Sequence, residues 1–221
     1  MHQAVIRGFI DLGSAPTRSE LAAHLSLSEP ETEASLRRLD ANHGVVLDPS
    51  SGEVWIAHPF CSSPTLFRVE GPERGWWAPC IWCALGITAL VENPQLFVKT
   101  RLGGDGACCD ILVGPEGIQP SGLLAHFPIR PALAWQNVHR HCACTLVFDR
   151  EEAIDAWCVR NRMDRGEVLT LEHTANFAAL WYGEHLSPDW KKPTVSEARA
   201  RLVKAGLTSE HWRLEGDDGR F

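Results

Sequence analysis

Eight cysteines stand at positions 61, 80, 83, 108, 109, 142, 144 and 158 of a 221-residue chain, and most of them come in groups. Cys80-x-x-Cys83, the adjacent Cys108-Cys109 and Cys142-x-Cys144 are spacings that point to a metal site or a nucleophile. Thiolates are soft ligands, so the metal chemistry they suit best is that of soft ions. The competing reading for any one of them is a small buried hydrophobe, and Cys108, Cys109 and Cys158 read most simply as core residues. His139-x-His141 beside Cys142 invites zinc, and Cys80, Cys83, Cys142 and Cys144 together would make a closed structural zinc site. Zinc knuckles place their CxxC on turns, whereas this one opens an apolar run, which argues against that site. Neither GxGxxG nor GxxxxGK[ST] occurs, so no organic cofactor is expected.

The thiols need elements to position them. Cys80 to Val91 is nearly uncharged and reads as a buried helix, with Pro79 at its first turn and Glu92-Asn93-Pro94 as its stop. Cys83 then shares a helix face with Cys80, one turn earlier. Runs rich in β-formers follow at 95–101, 108–113, 122–128 and 137–148, separated by GGDG and GPEG turns, which predicts a small antiparallel or mixed sheet. On a strand over 137–148, Cys142 and Cys144 point to one face and His141 to the other. Helices are expected at 149–162, 172–182 and 196–204, the last ended by Gly206. Trp76, Trp77, Trp82 and Trp135 read as packing.

The N-terminal part has its own pattern. An amphipathic stretch over 3–12, a helix from Thr17 or Ser19 through Leu25, and a third opened by the Ser28-x-x-Glu31 capping box precede VVLDPSSGEVWIA, which reads as a hairpin. Three helices and a hairpin are the order of a winged helix over 1–70, with residues 58–79, rich in proline and glycine, as a connection to a second domain over 71–221. Residues 1–70 hold five arginines against nine acids, and the third helix begins with Glu29, Glu31 and Glu33. Carboxylates there would be repelled by phosphates, so nucleic acid is not an expected partner.

Around the thiols the sequence resembles the alkylmercury lyase family, in the WCALGITAL segment at Cys83 and the HRHCACTLVF segment followed by Trp157. The resemblance implies an α+β fold, an N-terminal winged-helix-like domain followed by a mixed sheet-and-helix domain, with Cys83 and Cys142 as the catalytic and metal-holding thiols. Their separation, 142 − 83 = 59 residues, is of the right order. In the family an aspartate stands one helical turn after the first cysteine and donates a proton; here that position is Gly86. A further family cysteine is also missing, its place falling near Leu102. Restoring an aspartate at Gly86 would test whether only the acid is lacking. The substitutes within sight of the sequence are Asp105, Asp110, His141 and the Cys80 thiol, with Cys144 as an added metal ligand beside Cys142.

The expected function is therefore to bind an organomercurial or a soft metal between two cysteines and to cleave the carbon–mercury bond by protonolysis, with small thiols removing the product. A thiol metal-binding protein on the same scaffold is the alternative, and a metal-sensing winged-helix regulator a more distant one. The net charge of −7 and 22% charged residues suit a folded protein of one or two domains. No signal-peptide core and no apolar run of 18 residues occurs, which predicts a cytoplasmic, bacterial protein with reduced thiols and no membrane partner.

Overall fold

The computed structural model describes residues 1–93 and 95–216; Pro94 of the expected helix stop lies outside them. Three helices come first: α1 (His2–Leu12), α2 (Arg18–Leu25) and α3 (Glu29–Ala41). Capping boxes at Thr17/Glu20 and Ser28/Glu31 start α2 and α3, each satisfying two backbone donors that the first turn leaves open. Strands β1 (Val46–Leu47), β2 (Val54–Ala57), β3 (Phe60–Cys61), β4 (Phe67–Glu70) and β5 (Gly75–Ala78) follow, then helix α4 (Ile81–Leu90). After it come β6 (Leu96–Arg101), β7 (Cys108–Gly114), β8 (Gly117–Gln119), β9 (Leu124–Phe127), helix α5 (Val138–Cys144) and β10 (Leu146–Phe148). Helix α6 (Glu151–Asn161), strand β11 (Glu167–Thr170) and helices α7 (Leu171–Tyr182) and α8 (Val195–Lys204) complete the order.

The strands form two sheets, both antiparallel: eight strands in the order β1-β2-β3-β5-β4-β6-β7-β8, and three in the order β10-β9-β11. The expected hairpin exists as β1 and β2, but it is the edge of the large sheet rather than a separate wing. The expected connection over 58–79 is corrected outright, because it holds β3, β4 and β5, joined by pairs such as Cys61 with Trp77 and Val69 with Trp76. Its prolines and glycines sit at strand ends and turns, where they do not interrupt a ladder. Residue 70 thus ends one strand of a pair whose other strand is β5, so segments 1–70 and 71–221 share a sheet.

Helix α4 lies against the large sheet with α7 on its other side, which is why it is apolar all round; Ile81, Cys83, Ala84, Leu85, Gly86 and Ile87 are buried. Its start differs slightly from expectation. Cys80 is the cap rather than a first-turn residue, and its Sγ accepts the Cys83 backbone N–H at 3.3 Å. Among the described residues no helix is long and apolar enough to cross a membrane.

Candidate functional site

The segment around Cys142 is the main correction to the sequence reading. Residues 138–144 are helical, not extended; only Leu146–Phe148 is a strand. Asn137 explains the difference, since its side chain accepts the Arg140 backbone N–H and so starts a turn that the β-rich composition hides. On a helix, residues two apart point to nearly opposite sides. Cys142 is accordingly buried, whereas Cys144 is half-buried and does not line the cavity that Cys142 faces. The role of Cys144 as an added ligand beside Cys142 rested on the strand geometry, whereas the four-thiolate zinc set rested on the cysteine spacing.

One backbone link ties the thiol-bearing helices together, and a side-chain bond secures the end of α5 at that link. The Ile81 N–H at the start of α4 donates to the Thr145 carbonyl just past α5 at 3.3 Å, and the Thr145 hydroxyl donates to the His141 carbonyl at 2.8 Å. These place Cys83 and Cys142 side by side, both buried. His58, on the turn between β2 and β3, completes the group: its Nε2 lies 3.6 Å from the Cys142 Sγ. The donor atoms of His58, Cys83 and Cys142 all lie within 4.8 Å of one another. No periodicity marks His58, and only its arrival on the turn between two paired strands makes it a site residue.

The position where the family aspartate would stand is filled from α7. A Cβ built on Gly86 would lie 2.3 Å from Tyr182 Cδ2 and 2.7 Å from Tyr182 Cε2, so glycine here allows the ring to press on α4. The Tyr182 hydroxyl is 3.4 Å from the Cys83 Sγ. The expected substitute acids are elsewhere: Asp105 pairs with Arg160 at 3.0 Å, and Asp110 lies across from Lys99 on the large sheet. Among the described residues no carboxylate lines the cavity. Cys80 is close to both site thiols, and His141 lines the cavity with its Nδ1 buried and without a hydrogen-bond partner.

The electrostatics favour neutral groups at rest. Burial raises the Cys83 pKa well above its usual value; hydrogen bonding with Cys80 and Cys83, then burial, does the same for Cys142. Cys80 is the exception. Burial opposes its ionisation, but hydrogen bonds from the Cys142 and Cys83 thiols and from the Cys83 backbone N–H bring its pKa well below the ordinary thiol range. His58 is held neutral, its pKa lowered to about 3 by burial and by the charge of Lys192.

The thiols open onto a cavity of about 60 Å³ walled by Trp82, Phe177, Trp181, Trp190 and Trp212. Trp82 stacks on Phe177 with centroids 4.6 Å apart, and Lys192 sits over the Trp135 ring at 4.5 Å. Trp135 in turn stacks on His43 at 4.1 Å, and this pair lines both the cavity and an adjoining outer groove. Of the other cysteines, Cys109 and Cys158 are buried and Cys108 is exposed, which corrects its reading as a core residue.

A family model described as alkylmercury lyase matches residues 60–183, more than half of the chain. The chain belongs to the alkylmercury lyase family. The crystal structure of the mercury-bound form of MerB2 is similar in fold, with a TM-score of 0.66 at 17% identity over 84% of this chain and 91% of that one. No curated protein matches the chain. In this family member the matched segment contains Cys83, Cys142, Gly86 and Tyr182, while His58 falls two residues before it.

Proposed function

We propose that this alkylmercury-lyase-family protein captures an organomercurial cation between Cys83 and Cys142 and cleaves its carbon–mercury bond by protonolysis. The observation that carries this reading is the convergence of two buried thiols, from separate helices, on an aromatic-walled cavity in a chain of this family. In the first step one thiol displaces the ligand X of R–Hg–X, forming R–Hg–S and releasing HX. In the second, the other thiol's sulfur bonds mercury while its proton passes to the carbon, which takes the electron pair of the breaking C–Hg bond. The products are R–H and Hg(II) held by two thiolates. Thiols whose pKa is raised keep the protons that this sequence consumes. The aromatic walls suit the organic group, and the small volume suits a short alkyl chain better than a bulky one.

Small thiols supplied by the cytoplasm would take up the Hg(II), and the sequence calls for no organic cofactor. A second reading, metal binding without cleavage, is favoured by one observation: the ring of Tyr182 occupies the place of the family's acid. The discriminating experiment mixes reduced protein with methylmercury and excess thiol and analyses the headspace for methane, beside Cys83→Ser and Cys142→Ser. Methane that disappears in both variants is the expected result. Tight 1:1 mercury binding that depends on both cysteines, with no methane, would leave only the second reading.

A further inference from the structure

We propose that His58, Cys83 and Cys142 form a three-ligand site for a thiophilic divalent cation of the zinc–mercury group, with the His58 imidazole as the third donor and a fourth position open to the cavity. The inference shares its two thiols with the reading above but requires no bond cleavage. Three observations support it. The 3.6 Å between His58 Nε2 and Cys142 Sγ is the edge of a tetrahedron with metal–sulfur bonds of about 2.3 Å and metal–nitrogen bonds of about 2.0–2.1 Å, which works out at about 3.5–3.6 Å. The three donor atoms come from three separate elements, the β2–β3 turn, α4 and α5, and still lie within 4.8 Å of one another, which chance proximity along one helix would not produce. His141, whose Nδ1 is buried and without a hydrogen-bond partner, lines the cavity onto which the fourth position opens.

The donor set also fits chemically. A neutral imidazole with two thiolates balances the charge of a divalent ion, and nitrogen with sulfur suits borderline and soft metals rather than calcium or magnesium. Three protein ligands with one position open is the arrangement of a reactive site, not of a closed structural one. The two possible sources of the ion, a resident zinc and the Hg(II) left by cleavage, share this coordination chemistry.

The test titrates reduced, metal-free protein with Co(II) under anaerobic conditions. One equivalent is expected to bind, with thiolate-to-cobalt charge transfer and the visible bands of a tetrahedral ion. His58→Ala should weaken binding by more than the roughly tenfold that loss of even an outer-shell partner costs, and should shift the visible bands. His58→Cys, which restores a donor, should recover affinity with charge-transfer intensity raised by about half, from two thiolates to three; this separates lost coordination from lost folding. Displacement of cobalt by Zn(II) as well as Hg(II) would mark a resident-ion site, and displacement by Hg(II) alone a product site. Cobalt affinity and spectrum unchanged in His58→Ala, or no 1:1 binding by the wild-type protein, overturns the proposal. Methane release is read separately: its absence with intact cobalt binding removes the lyase reading and leaves this site standing.

Discussion

Gly86 is where one residue decides most. A carboxylate one turn after Cys83 is what the family resemblance asks for, and restoring it looks from the sequence like a repair. The structure reverses that expectation, because the space is already taken by Tyr182. Gly86→Asp is therefore expected to destabilise the protein by at least the roughly 1–3 kcal/mol of an overpacked core, without gaining methane release. A thermal melt of the variant with Tyr182→Ala alongside checks this: the tyrosine truncation should recover part of the loss when combined with Gly86→Asp. A melt unchanged by Gly86→Asp alone would show that the ring moves aside freely. Tyr182 itself was legible as a helix residue but not as a site residue. It stands 99 positions from the thiol it touches, and only the glycine on the facing helix permits the contact.

The elements show where sequence pattern carries information and where it does not. Helix α4 was legible because a ten-residue uncharged run is too long for a strand, and β6 because a short run of β-formers is followed by the GGDG turn signal. Helices α6, α7 and α8 fall within a residue or two of expectation. Helix α5 was illegible, since VHRHCAC has neither period and its start depends on a single Asn137 cap. The error changed the candidate site by swapping which neighbour of Cys142 faces inward. The helical geometry predicts that Cys144→Ser leaves mercury stoichiometry and cobalt spectrum unaltered, whereas a strand would have placed both sulfurs at the metal. A binding titration of that variant decides the matter; loss of a thiolate band would restore the strand reading. His58 could not be found from pattern at all, because a turn residue owes its place to the pairing of its flanking strands.

At the scale of the whole molecule the N- and C-terminal parts are fastened to one another. The Trp76 indole donates to the Phe9 carbonyl at 2.8 Å, Gln3 donates to the Leu186 carbonyl at 2.9 Å, and His2 stacks on Trp190 at 3.5 Å. Lys192 lies in this junction, and burial lowers its pKa to about 7. Unfolded, a lysine keeps its proton to about pH 10.4. Between those values the unfolded chain binds more protons than the folded one, so this residue makes stability rise with pH above 7, while below 7 its full cost is present. Lys192→Met should thus be stabilised relative to wild type at pH 6, with the advantage shrinking towards pH 9 by no more than about 1.4 kcal/mol per unit. Urea unfolding of both proteins at the two pH values, under reductant, measures it; an advantage that does not change with pH would mean that the ammonium keeps its water in the fold.

Five of the nine tryptophans, at 82, 135, 181, 190 and 212, surround one small cavity. Packed there to exclude water, these indoles are also the chief emitters of the molecule's ultraviolet fluorescence. A heavy atom lodged at Cys83 and Cys142 would sit among them and open a spin–orbit route for their excited states to decay in the dark. Mercury capture should therefore dim the protein's own light as it happens, with no added dye, and release of the metal to thiol should bring the light back.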